Sequence, residues 1–418
     1  MLSDVRLLFC LLFLIPALCA AEVRIEKTDS GFRLMRDGQS YFIRGAVGTM
    51  QLELLPISGG NSTRTAPQQL DRAHSLGLTA LVNLPLGIQR RGFDYGDPAA
   101  LQKQRQRIRE IVERYRSHPA VLMWAIGNEP EIHTTPEQRR ALWKEVNSLA
   151  EMIKRLDPAH PVITVIGGQY KQMLHELKDQ CPALDAVGLN SYQDMLSMPE
   201  DVAAQGWEKA YIVTEFGPRG HWQVPKTPWK IPIEDTSTEK AEFYEKAYRH
   251  AVLNRPNCLG SYVFYWSQKQ EKTHTWYGLF LEDGSRTGAI DVMSRLWTGK
   301  EPANRCPVIS KIRATPGGES PSTHAPGARF SAEVTVTDPD HDPLDVRWDL
   351  RPDVADNPNV GGDYEPSVEP IPGSILQPQG ARVTVQLPEK PGNYRLFVYA
   401  RDGRGNAATA NLALRIQP

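Results

Sequence analysis

A (β/α)₈ TIM barrel followed by a small all-β, immunoglobulin-like sandwich is the architecture this sequence predicts. Three observations carry it. Between about residues 40 and 298, eight short apolar segments alternate with amphipathic ones, which suits one closed barrel of about 250 residues. Past Trp297 the helical periodicity stops, and turn residues separate runs that alternate apolar and polar side chains. The first apolar segment leads into Gly45-Ala46-Val47-Gly48, which lacks the GxGxxG spacing expected of a doubly wound nucleotide-binding sheet.

Residues 1–21 read as a secretory signal. Arg6 is basic, Leu7–Leu18 is apolar, and the small Ala20 and Ala21 precede Glu22. The apolar stretch is shorter than the roughly 20 residues a spanning helix needs. An exported protein, periplasmic or extracellular, with no transmembrane segment after cleavage is therefore expected. Val23–Lys27 and Phe32–Arg36 read as strands, and Asp37-Gly38 as a hairpin turn into Tyr41–Gly45, because glycine accepts positive φ without steric cost.

The barrel strands are read at Tyr41–Val47, Asn61–Thr65, Leu78–Leu84, Val121–Ile126, Val162–Ile166, Ala183–Leu189, Tyr211–Thr214 and Gly260–Tyr265. Helices are expected over Leu101–Ser117, Pro136–Leu156 and Glu239–Leu253. In the first, Ile108, Ile111, Val112 and Tyr115 fall on one face. In the second, Leu142, Val146, Leu149, Ile153 and Leu156 do so, with Thr135 as N-cap and Pro136 at the first helical position. The barrel domain is thus bounded at 22–298, a linker at 299–306 and the sandwich at 307–418. The sandwich strands are read at Phe330–Thr337, Leu344–Leu350, Arg382–Leu387, Tyr394–Ala400 and Thr409–Ile416.

Forty-eight Lys and Arg against 49 Asp and Glu leave a net charge of −1, with no basic excess of the kind that marks a nucleic-acid binder. Cys10 and Cys19 fall in the signal. The remaining Cys181, Cys258 and Cys306 show no CxxC spacing, so a zinc site is not indicated and buried thiols are expected. GxSxG, HExxH and P-loop patterns are absent.

Two apolar strands run directly into glutamate. Val121–Ile126 leads into Gly127-Asn128-Glu129, and Tyr211–Thr214 into Glu215. In a barrel, the C-terminal strand ends face the active site. Strands four and seven can bring two carboxyls together across a ligand. Paired carboxyls suit glycoside hydrolysis, where one must donate a proton and the other attack as an anion. Mutual repulsion separates their pKa values. Glu129 is assigned as acid/base and Glu215 as nucleophile, with no cofactor and no metal required.

Trp124-Ala125-Ile126-Gly127-Asn128-Glu129-Pro130 and Val213-Thr214-Glu215-Phe216-Gly217 resemble the two signatures of the clan A retaining glycoside hydrolases. The barrel domain of family 2 is the nearest likeness, and family 5 the next. The resemblance covers about residues 40–298. It implies double displacement on a β-linked carbohydrate, with Asn128 bonding the sugar 2-hydroxyl. It also implies that Arg64 braces the nucleophile, that the Asn190–Tyr192 segment lies at the site with the Tyr192 hydroxyl toward Glu215, and that Trp266 forms the floor under the sugar. Transglycosylation on a β-glucan, or carbohydrate binding without catalysis, are the alternatives this likeness leaves open.

Loop aromatics and histidines supply further substrate-binding candidates: Trp222 with His221 and Trp229, then His274, Trp276 and Tyr277, then Phe93 and Tyr95. His133 follows Glu129 closely enough to line the site. In the second domain, Asp338-Pro339-Asp340-His341-Asp342 is an acidic turn with the hard oxygens calcium prefers, although such a turn needs no metal to form.

Overall fold

The computed structural model describes residues 21–168, 170–356, 361–376 and 380–418. The expected signal segment lies, but for Ala21, outside the described residues. A three-stranded sheet comes first, of β1 (Val23–Thr28), β2 (Gly31–Arg36) and β3 (Gln39–Ser40). Its second turn places Asp37 at φ 49° and Gly38 at φ 75°, the paired positive dihedrals of a tight hairpin.

Eight parallel strands then close a barrel in sequence order: β4 (Ile43–Val47), β5 (Ser62–Thr65), β6 (Thr79–Leu84), β7 (Val121–Ile126), β8 (Val162–Ile166), β9 (Ala186–Asn190), β10 (Ala210–Phe216) and β11 (Cys258–Phe264). β7 and β8 are buried throughout, as parallel strands covered by helices must be, which is why β7 reads as an unbroken apolar run and β8 as one broken only by Thr164. The helix Pro136–Leu156 buries Leu142, Val146, Leu149 and Ile153, and Thr135 opens it with a capping box to Gln138. A second capping box, Thr236 with Glu239, opens Ser237–Ala251.

The N-terminal sheet closes the barrel's N-terminal end. Val23 and Leu34 share a cluster with the barrel residues Leu81, Met123, Ile163 and Ile212. The Val23 amide donates to Ala159 O (2.8 Å), the Phe32 amide to Pro256 O (2.7 Å) and Arg36 to Pro119 O (3.0 Å). Each acceptor lies two or three residues before a barrel strand. With that end plugged, the opposite mouth is left for chemistry.

The second domain packs a three-stranded sheet (Arg313–Thr315, Arg329–Glu333, Arg382–Gln386) on a four-stranded one (Ser322–His324, Ala407–Ile416, Gly392–Arg401, Asp345–Pro352). Phe330, Val383 and Val385 of one and Trp348, Leu396 and Val398 of the other belong to one core. The strand read at Phe330–Thr337 is two: Arg329–Glu333, and Val336–Thr337, which pairs with Val308–Ile309. Arg313–Thr315 and Ser322–His324 are too short to have shown a period.

The domains meet through buried charge. Arg395 (1% exposed) donates to Asp353 (2.9 Å), Asn411 (2.8 Å) and the Pro232 carbonyl (3.0 Å). Glu234 accepts from Lys240 (2.5 Å), Thr273 (2.7 Å) and Asn411 (2.8 Å). Removing one member of a buried pair leaves its partner uncompensated, at about 3–5 kcal/mol. Arg395→Met is therefore expected to destabilise by at least about 3 kcal/mol, read as a lowered thermal midpoint; an unchanged midpoint would show that this contact carries no stability.

Candidate active site

Glu129 and Glu215 are brought to the same barrel mouth by different local devices. After β7 the backbone turns through Gly127 (φ 73°) and Glu129 (φ 47°). A Cβ on Gly127 would sit 2.9 Å from Leu86, so glycine is required there. A left-handed glutamate costs of order 1 kcal/mol, and the bond from its amide to Val165 O (2.9 Å) holds it. A Cβ on Gly167 would lie 3.0 Å from Glu129 Oε1; the glycine makes room for the carboxyl. On β10 the ladder to β9 shifts register between Val213 and Glu215. Such a bulge re-aims a side chain at a strand end.

One arginine organises the site. Arg64 on β5, 3% exposed, donates from Nη1 to Glu215 Oε1 (2.9 Å) and to Thr214 O (3.2 Å). Its Nη2 donates to Asn128 Oδ1 (2.6 Å), and its Nε to Asn83 Oδ1 (3.0 Å). Asn190 Nδ2 donates to Asn128 Oδ1 and Glu129 Oε1, both at 3.0 Å, while its oxygen accepts from Thr214 Oγ1 (2.8 Å). The two glutamates thus share one network through Arg64 and Asn190. Asn128 has its oxygen engaged twice, which leaves its nitrogen to donate to a ligand. The Tyr192 hydroxyl lies 3.5 Å from Glu215 Oε2.

Burial raises the pKa of both carboxyls. Burial lifts Glu215, with Arg64 opposing and Glu129 adding to the rise. Glu129 is raised by burial against its bond from Asn190. Near neutrality two such neighbours cannot both ionise readily. The direct guanidinium contact favours the anion on Glu215 and leaves the proton on Glu129.

The sequence reading overlooked Glu131. It is fully buried (0% exposed), accepts from the Gly167 amide (2.6 Å) and leaves Oε2 without a partner. Burial, then the charge of Glu129, pushes it up to about 8. Between the ordinary carboxyl value and 8, the folded state holds a proton that the unfolded chain has lost, so stability falls as pH rises. Glu131→Gln is expected to raise the thermal midpoint at pH 8 and not at pH 4. It should also move the alkaline limb of activity to lower pH, because an ionised Glu131 would hold the proton on Glu129. Equal midpoints at pH 8 would contradict this.

Other expected residues fall variously. Trp222 is 53% exposed and meets Tyr192 edge-on with centroids 5.3 Å apart, so it stands at the rim. His221 is held by the Tyr277 hydroxyl (3.0 Å) and pushed down to about 4 by burial, then by nearby lysines. His274 bonds Tyr399 of the second domain (2.8 Å), so it serves the interface. Trp266 requires correction. It has no exposed surface and packs edge-on against Phe280 (5.5 Å), whereas a sugar needs an open ring face. The half-buried aromatics at this strand end are Phe264 and Tyr265. His133 is exposed at φ 61°, and no hydrogen bond or ion pair among the described residues joins it to the carboxyls.

The second domain also reaches the mouth. Asp363 accepts from Arg91 (2.7 Å) and Arg90 (3.4 Å), and Glu365 accepts from the Lys272 amide (2.7 Å). The segment thus bridges the loops after β6 and β11, with Tyr364, 85% exposed, between its anchors. The charge of Arg90 acts on Glu129.

The closed barrel thus holds two carboxyls at its C-terminal mouth, one braced by arginine and one bonded by asparagine. Residues 81–284 match the sequence model described as "Glycosyl hydrolases family 2, TIM barrel domain". The barrel is accordingly most like that of family 2. The beta-glucuronidase of Streptococcus agalactiae is 26% identical over 288 residues, 57% of this chain and 46% of that one. The beta-glucuronidase of Sus scrofa is 30% identical over 132 residues, 28% of this chain and 19% of that one. The chain thus spans less than half the length of these relatives. The Bacteroides uniformis beta-glucuronidase structure shares the fold, with a TM-score of 0.50 at 14% identity, over 95% of this chain and 48% of that one.

Proposed function

We propose that the chain is an exported, retaining β-glycoside hydrolase acting on a β-linked oligo- or polysaccharide. The observation that carries this is the shared network: Arg64 bonds Glu215 while Asn190 bonds Glu129. Glu215 attacks the anomeric carbon as its bond to the leaving oxygen breaks, and Glu129 delivers its proton to that oxygen. The glycosyl ester that forms is opened by water, whose proton passes to Glu129, and the sugar leaves with its β configuration restored. Asn128 donates from Nδ2 to the 2-hydroxyl, a role supported by its Oδ1 being engaged by Arg64 and Asn190. A sugar hydroxyl in place of water turns the same steps into transfer. The exposed Trp222 beside Tyr192 offers a stacking surface for such an acceptor or for a longer chain.

The relatives' names make β-glucuronides one class to test. The purified chain should be incubated with β-glucuronides, β-glucans, β-mannans and β-galactosides, and the products analysed by mass spectrometry. Release of a sugar, or rearranged oligosaccharides, is expected with at least one class. Binding without either product would favour a carbohydrate-binding protein on the same barrel.

A further inference from the structure

The acidic turn of the second domain does not act alone. Asp338 and Asp342 lie in it, but the third member of the cluster is Asp402, from the hairpin between Gly392–Arg401 and Ala407–Ile416. One carboxylate oxygen of each lies within 4.8 Å of the others. Oxygens that each sit about 2.4 Å from a single calcium ion can lie no farther apart than twice that. Asp340, which looked equivalent in sequence, is drawn away to Arg305 (2.7 Å).

The environment of these carboxylates suits a cation. Asp338 is 9% exposed and Asp402 4%; the Asp342 side chain is 7% exposed. Asp338 Oδ1 accepts from the amides of Asp340 (2.8 Å) and Asp342 (3.0 Å), while its Oδ2 is buried with no hydrogen-bond partner. Asp342 Oδ1 pairs with Arg404 (2.8 Å), yet its buried Oδ2 also has none. Asp402 Oδ1 accepts from the Arg404 and Asn406 amides, and its Oδ2 from the Asn304 and Asn406 side chains, both at 2.6 Å. The Asn304 Oδ1 is a further buried oxygen without a partner. Arg404 is 64% exposed, so its charge is screened by solvent. Unpartnered buried carboxylate oxygens are costly unless a cation neutralises them. The donors are all hard oxygens, as calcium prefers, with no cysteine or histidine in the cluster.

The site also lies at the joint between the domains. Arg286, just before the barrel helix Gly288–Thr298, donates from its amide to Gly405 O (2.9 Å) and accepts from the Ala407 amide (2.8 Å). Its guanidinium bonds Asn406 Oδ1 and the Asn304 carbonyl. The hairpin that carries Asp402 is therefore the one that grips the barrel.

We propose that Asp338, Asp342 and Asp402 bind one calcium ion that fastens the second domain to the barrel. Calcium chloride titrated calorimetrically into the chelator-stripped full chain should show one equivalent bound, tighter than about 1 mM. The same calcium should raise the thermal midpoint by several degrees over a chelator control. The Asp338→Asn/Asp342→Asn variant, which keeps the side-chain shapes, should lose both effects. Absence of calcium binding to the wild-type chain, an unchanged midpoint, or undiminished binding in the double variant would overturn the proposal. None of these outcomes depends on turnover of any sugar.

Discussion

Glu215→Ala should lower turnover by more than about 10⁴-fold, the scale seen when a covalent nucleophile is removed, while circular dichroism still shows the folded barrel. Glu215 lies at a strand end, its side chain 12% exposed, with one ionic partner. Removing the carboxylate deletes the atom that bonds the anomeric carbon, and no other described carboxyl is paired to Arg64. Azide added to this variant should restore activity toward an activated glycoside, because a small anion fits where the carboxyl was. The product should then be the glycosyl azide of inverted configuration. Wild-type turnover in the variant would show that the nucleophile lies elsewhere.

Arg64→Met should act mainly through the charge of Glu215. A cation in contact lowers a carboxyl pKa by about 1–3 units, so its loss raises that of Glu215 further above the ordinary value. The acidic limb of the pH–rate profile follows ionisation of the nucleophile, and should move to higher pH by about the same 1–3 units. Below that limb, activity falls tenfold per unit, giving a loss of about ten- to a thousand-fold at mildly acidic pH. The alkaline limb, which follows loss of the Glu129 proton, should move less. Arg64→Lys should recover part of the shift but not the bonds to Asn83 and Asn128, which need the guanidinium fork. An acidic limb that stays in place would mean that Arg64 only supports the fold.

The barrel was legible because its strands are buried on both faces. β7 reads as a continuous apolar run and β8 as one interrupted only by Thr164, and their ends in the sequence agree with those in the structure. Glu129 and Glu215 were legible for a related reason: each is a charged residue at or just past the end of an apolar strand, where only a site or a pair explains it, whereas Arg64, on the polar strand Ser62–Thr65, was legible only through the family resemblance. Glu131 was not, because a glutamate after Pro130 reads as a solvated loop residue, and only the fold buries it. Trp266 was misread because aromatics crowd the end of β11 and the sequence does not say which of them keeps an open face. Asp363 and Glu365 were invisible as site residues because their partners, Arg90, Arg91 and Lys272, lie in a different domain. The calcium cluster failed in the same manner: a contiguous acidic turn suggested Asp340, and the fold substitutes Asp402 from about sixty residues further on.

The most direct test of the paired carboxyls is the anomer first released. Proton NMR during early hydrolysis of whichever β-glycoside the chain turns over should show the β-anomer ahead of mutarotation, because Glu215 displaces once and water displaces again. First appearance of the α-anomer would mean a single displacement, and would contradict the assignment of Glu215 as a nucleophile.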